Sequence, residues 1–392
     1  MFLIILLLGV VFFRFPPTYR HIIAYCLFFH LLLLVINTYF YAIPPMSTSD
    51  PKDFLINALF YSNVGFLDTG LGNGAQYYAY FLSVLYDYSF FTSNILLLAQ
   101  LSSVLFWLIS AFLLIKIAEK LGFTAGDEFY LKLALLLFSL TPHLLVISTG
   151  VFREGIQLMF TMLAAFSLLT WNENKNFFYF ILAVLLFVLA GVWHVGVLIA
   201  AVLLFILLFA LVIPGFFSGS GRTPFGKQIF ILLCLLVFSY FAFYCFLALK
   251  QGFVTMALDY SSKVSLANTA YPPFASQGTY FSVLLGWLYY LFYPFLWKID
   301  DGLSLYFSLF GVLTLVLLIF SLASYFFEKN ETIRDAVLIL LLLFVLISLV
   351  YSIGTSNYGT AMRHGFLSFW ILLLLGARGF LVLRARFLGE SP

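Results

Sequence analysis

The chain has 392 residues, of which 9% are charged and 64% hydrophobic, against about 25% and 45–50% in an ordinary soluble domain. Its mean hydropathy is +1.10 and its net charge only +3. These values exclude a soluble globular enzyme and a basic nucleic-acid-binding module, and predict one all-α integral membrane domain over 1–392, a polytopic transmembrane helical bundle.

In chain order, apolar runs at 1–13, 21–42, 93–115, 129–147, 154–171, 177–192, 195–213, 229–249, 303–326, 336–353 and 364–383 predict about eleven spans. The first run has no small-residue cleavage site before Arg14, so it reads as a short span and not as a removable leader. Two longer segments, 43–92 and 251–302, are rich in Tyr and Phe and are predicted to fold over the membrane surface as amphipathic helices. Within the second, 280–297 is apolar but carries Gly286 and Pro294.

Parity decides that stretch. With Arg14 and Arg20 in a cytoplasmic loop, successive crossings put Lys116, Lys120, Lys175, Arg222 and Lys227 on the same side. Treating 280–297 as re-entrant or interfacial keeps Lys329, Arg334, Arg384 and Arg386 there too. The chain is therefore expected in the cell inner (plasma) membrane, with 43–92 and 251–302 extracytoplasmic. Cys26, Cys234 and Cys245 lie in apolar runs without CxxC spacing, which argues for packing and against a disulfide framework or a zinc site.

An ionisable side chain in or beside a span is costly, so such residues are the candidates for function. Seven fall on the outer side: Asp50, Asp53, Arg153, Glu154, His194, Arg363 and His364. Asp50-Pro51-Lys52-Asp53 is first of all a start signal for a helix over 51–62, with Asp50 as cap. A carboxylate there could also orient or deprotonate an acceptor hydroxyl. Arg153-Glu154 opens a span, and reads either as an interfacial ion pair or as an anion site. The arginine stands against the positive-inside bias and near a helix N-terminus, and a bound diphosphate would explain both. His194, in Gly191-Val192-Trp193-His194-Val195-Gly196, interrupts two apolar runs, and reads as a hydrogen-bonded interfacial residue, a phosphate ligand or a proton carrier. Arg363-His364 opens a late span in the same manner as Arg153-Glu154.

Other motifs carry less. Gly70-Leu71-Gly72-Asn73-Gly74 lacks the Lys-Ser/Thr of a phosphate loop and reads as a flexible turn. Asp300-Asp301 reads as a solvated loop, and no cofactor or metal site is indicated.

Arg153 opening a span, a polar turn at Asn172–Asn176, and the Trp193-His194 step before a further span together resemble the EpsG/Wzy-like exopolysaccharide and O-antigen polymerases. Arg363-His364 resembles that family's late Arg motif, and Asp50, Phe54 and Ala58 are spaced as in the first extracytoplasmic loop of GT-C glycosyltransferases. Pro51 departs from this pattern, in which many GT-C enzymes have a second acidic residue. The resemblance implies transfer of glycan repeat units from a polyprenyl-diphosphate-linked oligosaccharide to an acceptor glycan hydroxyl on the outer leaflet. Arg153 and Arg363, with Glu154, His364 and Asp53, would bind substrate, and Asp50 and His194 would be catalytic. Membrane lipids and other polysaccharide assembly proteins are the expected partners. A GT-C transferase adding one sugar from a polyprenyl phosphate, and a transporter or flippase of lipid-linked sugars, remain as alternatives.

Overall fold

A computed structural model of the chain describes residues 9, 14–40, 50–66, 73–89, 94–218, 280–353, 355 and 357–389. Among these there are 13 α-helices and no strand. In order they are α1 (Pro17–Phe40), α2 (Asp50–Val64), α3 (Asn73–Asp87), α4 (Ile95–Lys120), α5 (Glu128–Leu140), α6 (Pro142–Thr149), α7 (Glu154–Asn174), α8 (Phe177–Trp193), α9 (Val195–Ser218), α10 (Tyr280–Phe292), α11 (Gly302–Phe327), α12 (Glu331–Ile353) and α13 (Tyr358–Leu388).

The expectation of about eleven spans is corrected. Six described helices, α1, α4, α7, α11, α12 and α13, are long and apolar enough to cross a membrane, and a seventh span results if α5 and α6 count as one. Those two meet at a 61° bend. The cause is Pro142, which has no N–H to continue the ladder of α5 and instead opens α6. The run at 177–192 forms α8, whose 17 residues reach about 26 Å, short of a hydrocarbon core of about 30 Å. The predicted spans at 1–13, apart from residue 9, and 229–249, and 251–279 of the second surface segment, lie outside the described residues, as do Cys234 and Cys245. Cys26 is a buried free thiol. From 280 onward α10 is a helix of 13 residues, about 20 Å long.

Local signals set most helix ends. The helix expected over 51–62 is α2, from Asp50 to Val64. Asp301 caps α11, its carboxylate accepting from Ser304 N at 2.6 Å, so this half of the Asp300-Asp301 pair has a defined structural task. Asn357 caps α13 in the same way through Thr360 N. Between α7 and α8 the chain reverses at Lys175, in the left-handed region at φ 56°, and Asn176 caps α8.

Packing follows small residues. Helices α11 and α13 run parallel, with Phe310 against Phe369 at a ring separation of 4.6 Å, then Leu317 over Gly376 and Phe320 over Gly379. A Cβ at Gly379 would stand 1.7 Å from the Phe320 carbonyl oxygen, so this contact needs glycine. Tyr25, Phe28 and Leu32 of α1, and Leu309, Leu315 and Ile319 of α11, are exposed, as lipid-facing positions would be.

Charge is confined to the two ends of the described bundle. At one end Lys120 pairs with Glu173, Arg378 with Glu328, and Arg384 reaches the Tyr130 hydroxyl, tying α4, α5, α7 and α13 together. At the other end are Arg153, Glu154 and Arg363. A hairpin of α2 and α3 covers that second end, joined by Ser62 donating to Asp87 and by Phe54 packed edge-on to Tyr78 at 5.1 Å.

Candidate functional site

Three helix ends and one loop meet beneath the α2–α3 hairpin: the start of α7, the end of α12, the start of α13, and the step between α8 and α9. Arg363 Nε lies 2.9 Å from Glu154 Oε1, and the two side chains are only 10% and 2% exposed. Phe152 stands beside the pair, its ring 5.9 Å from the Arg363 guanidinium carbon. Two ions placed this deep are tolerated because each neutralises the other.

Arg153 is held differently. It is half-buried and has no hydrogen bond or ion pair among the described residues. The start of α3 passes close to it: a Cβ at Gly74 would lie 3.1 Å from Arg153 Nη1 and 2.2 Å from the Trp193 carbonyl oxygen. Gly74 is thus a tight contact between α3 and the site, in place of the flexible turn expected there; 70–72 lie outside the described residues.

The histidines flank Tyr351. Ring centres are 4.9 Å apart for His194 and Tyr351, 4.5 Å for Tyr351 and His364, and 5.3 Å for the two histidines. Their hydrogen bonds assign different tautomers to the neutral rings. His194 Nδ1 accepts from Gly196 N at 3.1 Å, which leaves the proton on Nε2. Thr355 donates its only hydroxyl proton to the Tyr351 carbonyl at 2.8 Å, so at 3.4 Å from His364 it can only accept from Nδ1–H. That leaves His364 Nε2 unprotonated, and it is buried without a hydrogen-bond partner among the described residues. Burial, reinforced by Arg153 and Arg363, pushes His194 down to about 3, so its ring is neutral near pH 7.

Gln157, buried one turn into α7, donates to the Tyr351 hydroxyl at 3.0 Å and reaches the His194 carbonyl at 3.4 Å. Gln157, Tyr351, Thr355 and Phe152 were not among the sequence candidates. Gln157 had a signal, since it stands three and four residues after Glu154 and Arg153 on one helix face. Tyr351 and Thr355 had none, because only packing brings the end of α12 here.

Arg153, Glu154, His194, Arg363 and His364 therefore come together, although they come from three separate stretches of sequence. Asp53 does not join them. It is half-buried in the first turn of α2, where its carbonyl accepts from Asn57. The side chain of Asp50 lies outside the described residues. Among the described residues no three His, Cys, Asp or Glu side chains converge as a metal site would require.

A second set of buried polar groups lies around the α5–α6 bend. His30 stacks on Trp107 at 3.7 Å, donates from Nδ1 to the Cys26 carbonyl and sits 2.9 Å from the Ser148 hydroxyl. His143 Nδ1 is 2.8 Å from the Tyr306 hydroxyl.

No family model, curated protein or solved structure matches this chain. The likeness to polysaccharide polymerases thus stands on the short motifs quoted above, and analogy of fold adds nothing to the chemistry of the site.

Proposed function

We propose that the protein is an extracytoplasmic glycan polymerase or transferase, moving repeat units from a polyprenyl diphosphate to an acceptor sugar hydroxyl. The observation that carries this reading is Arg153, a guanidinium without a partner among the described residues, held at the start of α7 beside two neutral histidines. Glu154 already balances Arg363, so a net positive charge remains for an anion. The free backbone amides in the first turn of α7 favour the same anion.

The leaving group in such a transfer is a diphosphate, and negative charge accumulates on it as the glycosidic bond breaks. A fixed cation lowers the barrier most where that charge develops. Arg153 would fork onto its oxygens, and His194 Nε2–H would donate to them. His364 Nε2, a bare acceptor, would take the proton of the acceptor hydroxyl, while Thr355 holds its ring and Gln157 fixes Tyr351 between the two imidazoles. Asp50 keeps the acceptor-orienting role that its sequence context suggests, since α2 covers the site end. Transfer of a single sugar from a polyprenyl phosphate would use the same groups.

A second reading, transport of a lipid-linked sugar, is favoured by the broken α5–α6 helix with His30 and His143 buried near the bend, away from both charged ends. One experiment separates the readings: the surface polysaccharide of cells whose only copy carries Arg153→Ala, with the protein's abundance in the membrane measured alongside. Normal abundance with single repeat units supports polymerisation through Arg153. Persisting long chains remove Arg153 from the mechanism, and lipid-linked precursor retained on the cytoplasmic face replaces transfer by transport.

A further inference from the structure

A groove of about 310 Å³ lies between α5 and α11, both of which pack on α13. Small side chains give it depth: Gly376 and Ala377 of α13 form its floor, and Ala134 lies on the α5 side. Leu133 of α5 and Val316 of α11, which line it, are exposed together with Leu315 and Ile319, so the groove opens on the surface where lipid is expected. Along α13 its lining extends from Leu373 to Phe380, a rise of about 10 Å, and so it follows the spans toward their charged end.

Two arginines stand where the groove ends. Arg384 follows Phe380 by one turn on the same face of α13, and its Nη1 donates at 3.1 Å to the hydroxyl of Tyr130. The Tyr130 ring is itself a wall of the groove and packs on Phe380 at 5.4 Å. Arg386 leans to the other side, its guanidinium carbon 4.5 Å from the centre of the Phe327 ring, two turns beyond the groove residue Phe320 on α11. Both arginines are exposed, and neither has a carboxylate among the described residues. By contrast Lys116, Lys120, Lys132, Arg334 and Arg378, at the same end, are each met by one. The charge left over sits at headgroup level, directly beyond an apolar groove, and guanidiniums match phosphate oxygens in pairs. A headgroup with its own ammonium already balances its phosphate, so a lipid with net negative charge gains most from this pair.

We propose that this groove binds an anionic diacyl phospholipid, with one acyl chain over Gly376 and Ala377 and the phosphate between Arg384 and Arg386. The site lies at the opposite end of the bundle from Arg153 and is independent of the transferase reading.

The test uses the full-length protein in detergent micelles doped with phosphatidylglycerol carrying a diazirine on one acyl chain, and labelled peptides are mapped after irradiation. Labelling should concentrate at 129–137, 316–320 and 373–380. Phosphatidylcholine with the same diazirine chain should label these segments at least fivefold less, because a single arginine at an anionic headgroup contributes about a factor of five. Arg384→Gln combined with Arg386→Gln, two exposed changes, should bring phosphatidylglycerol down to the phosphatidylcholine level and leave phosphatidylcholine unchanged. Equal labelling by the two lipids in the wild-type protein overturns the proposal without relying on any variant. Labelling that is absent from these segments, or no stronger there than on the rest of the apolar surface, overturns it as well. Loss of the label to equimolar polyprenyl phosphate does the same, and assigns the groove to a prenyl chain.

Discussion

Replacing Glu154 by Gln should destabilise the protein more than almost any other single isosteric change. The carboxylate is 2% exposed and faces Arg363 Nε at 2.9 Å, so its loss takes this ionised partner from a guanidinium that is only 10% exposed. Breaking a buried pair from one side costs about 3–5 kcal/mol, whereas removing both charges together is close to neutral. Glu154→Gln and Arg363→Met should therefore each cost about 3 kcal/mol or more, and the double variant clearly less than their sum. The measurement is equilibrium unfolding of purified protein in mixed micelles, followed by tryptophan fluorescence and treated as a double-mutant cycle. A coupling of about 2 kcal/mol or more is expected. Additivity to within about 0.5 kcal/mol would refute the pairing, because independent sites behave in that way.

Two further outcomes rest on the same geometry. His194, pushed down to about 3 by burial and by Arg153 and Arg363, is neutral in the folded protein. Its contribution to stability is complete above the unfolded value near 6.5 and is lost as pH falls from there toward 3. His194→Gln should reduce the acid-side slope of unfolding free energy against pH by one proton, and an unchanged slope would show that folding does not hold His194 neutral. Gly74→Ala, by contrast, should leave the bundle folded while pushing α3 off Trp193 and Arg153, since the new Cβ would begin 2.2 Å from the Trp193 oxygen. Polymer length should fall sharply at normal abundance; activity at the wild-type level would show that α3 has no part in the site.

The membrane class and the positions of most helices were legible because lipid leaves a helical chain few alternatives: every backbone group must be satisfied within the segment. Hydropathy alone cannot see direction, however, and so 129–147 reads as one straight span although Pro142 turns it by 61°. The candidate site was legible where it is charged. Arg153, Glu154, Arg363 and His364 stand out against apolar neighbours, and His194 against its glycines. What stayed hidden is uncharged. Thr355 looks like any residue at the end of a span, yet its single hydroxyl proton, given to the Tyr351 carbonyl, decides which nitrogen of His364 is free. Such roles depend on which helix ends meet, and that is set by contacts such as Gly379 on Phe320, far from the site in sequence.

The two buried Arg–Glu pairs show why charge alone does not define a site. Arg378 gives Nε and Nη2 to Glu328 at 3.0 and 2.7 Å and Nη1 to the Gly122 carbonyl at 3.2 Å, so all three of its nitrogens are engaged by the protein itself. That pair joins the later half of α13 to the residue after α11 and to the turn after α4, and it closes on itself. At the opposite end Arg363 is likewise balanced by Glu154, but a second arginine stands next to the pair with no carboxylate among the described residues to meet it. A chain that needed only to anchor helix ends had a complete solution available, and uses it at Arg378. Arg153, half-buried and without a carboxylate among the described residues, with a neutral imidazole donor and a neutral imidazole acceptor beside it, is the group on which the proposed anion site rests.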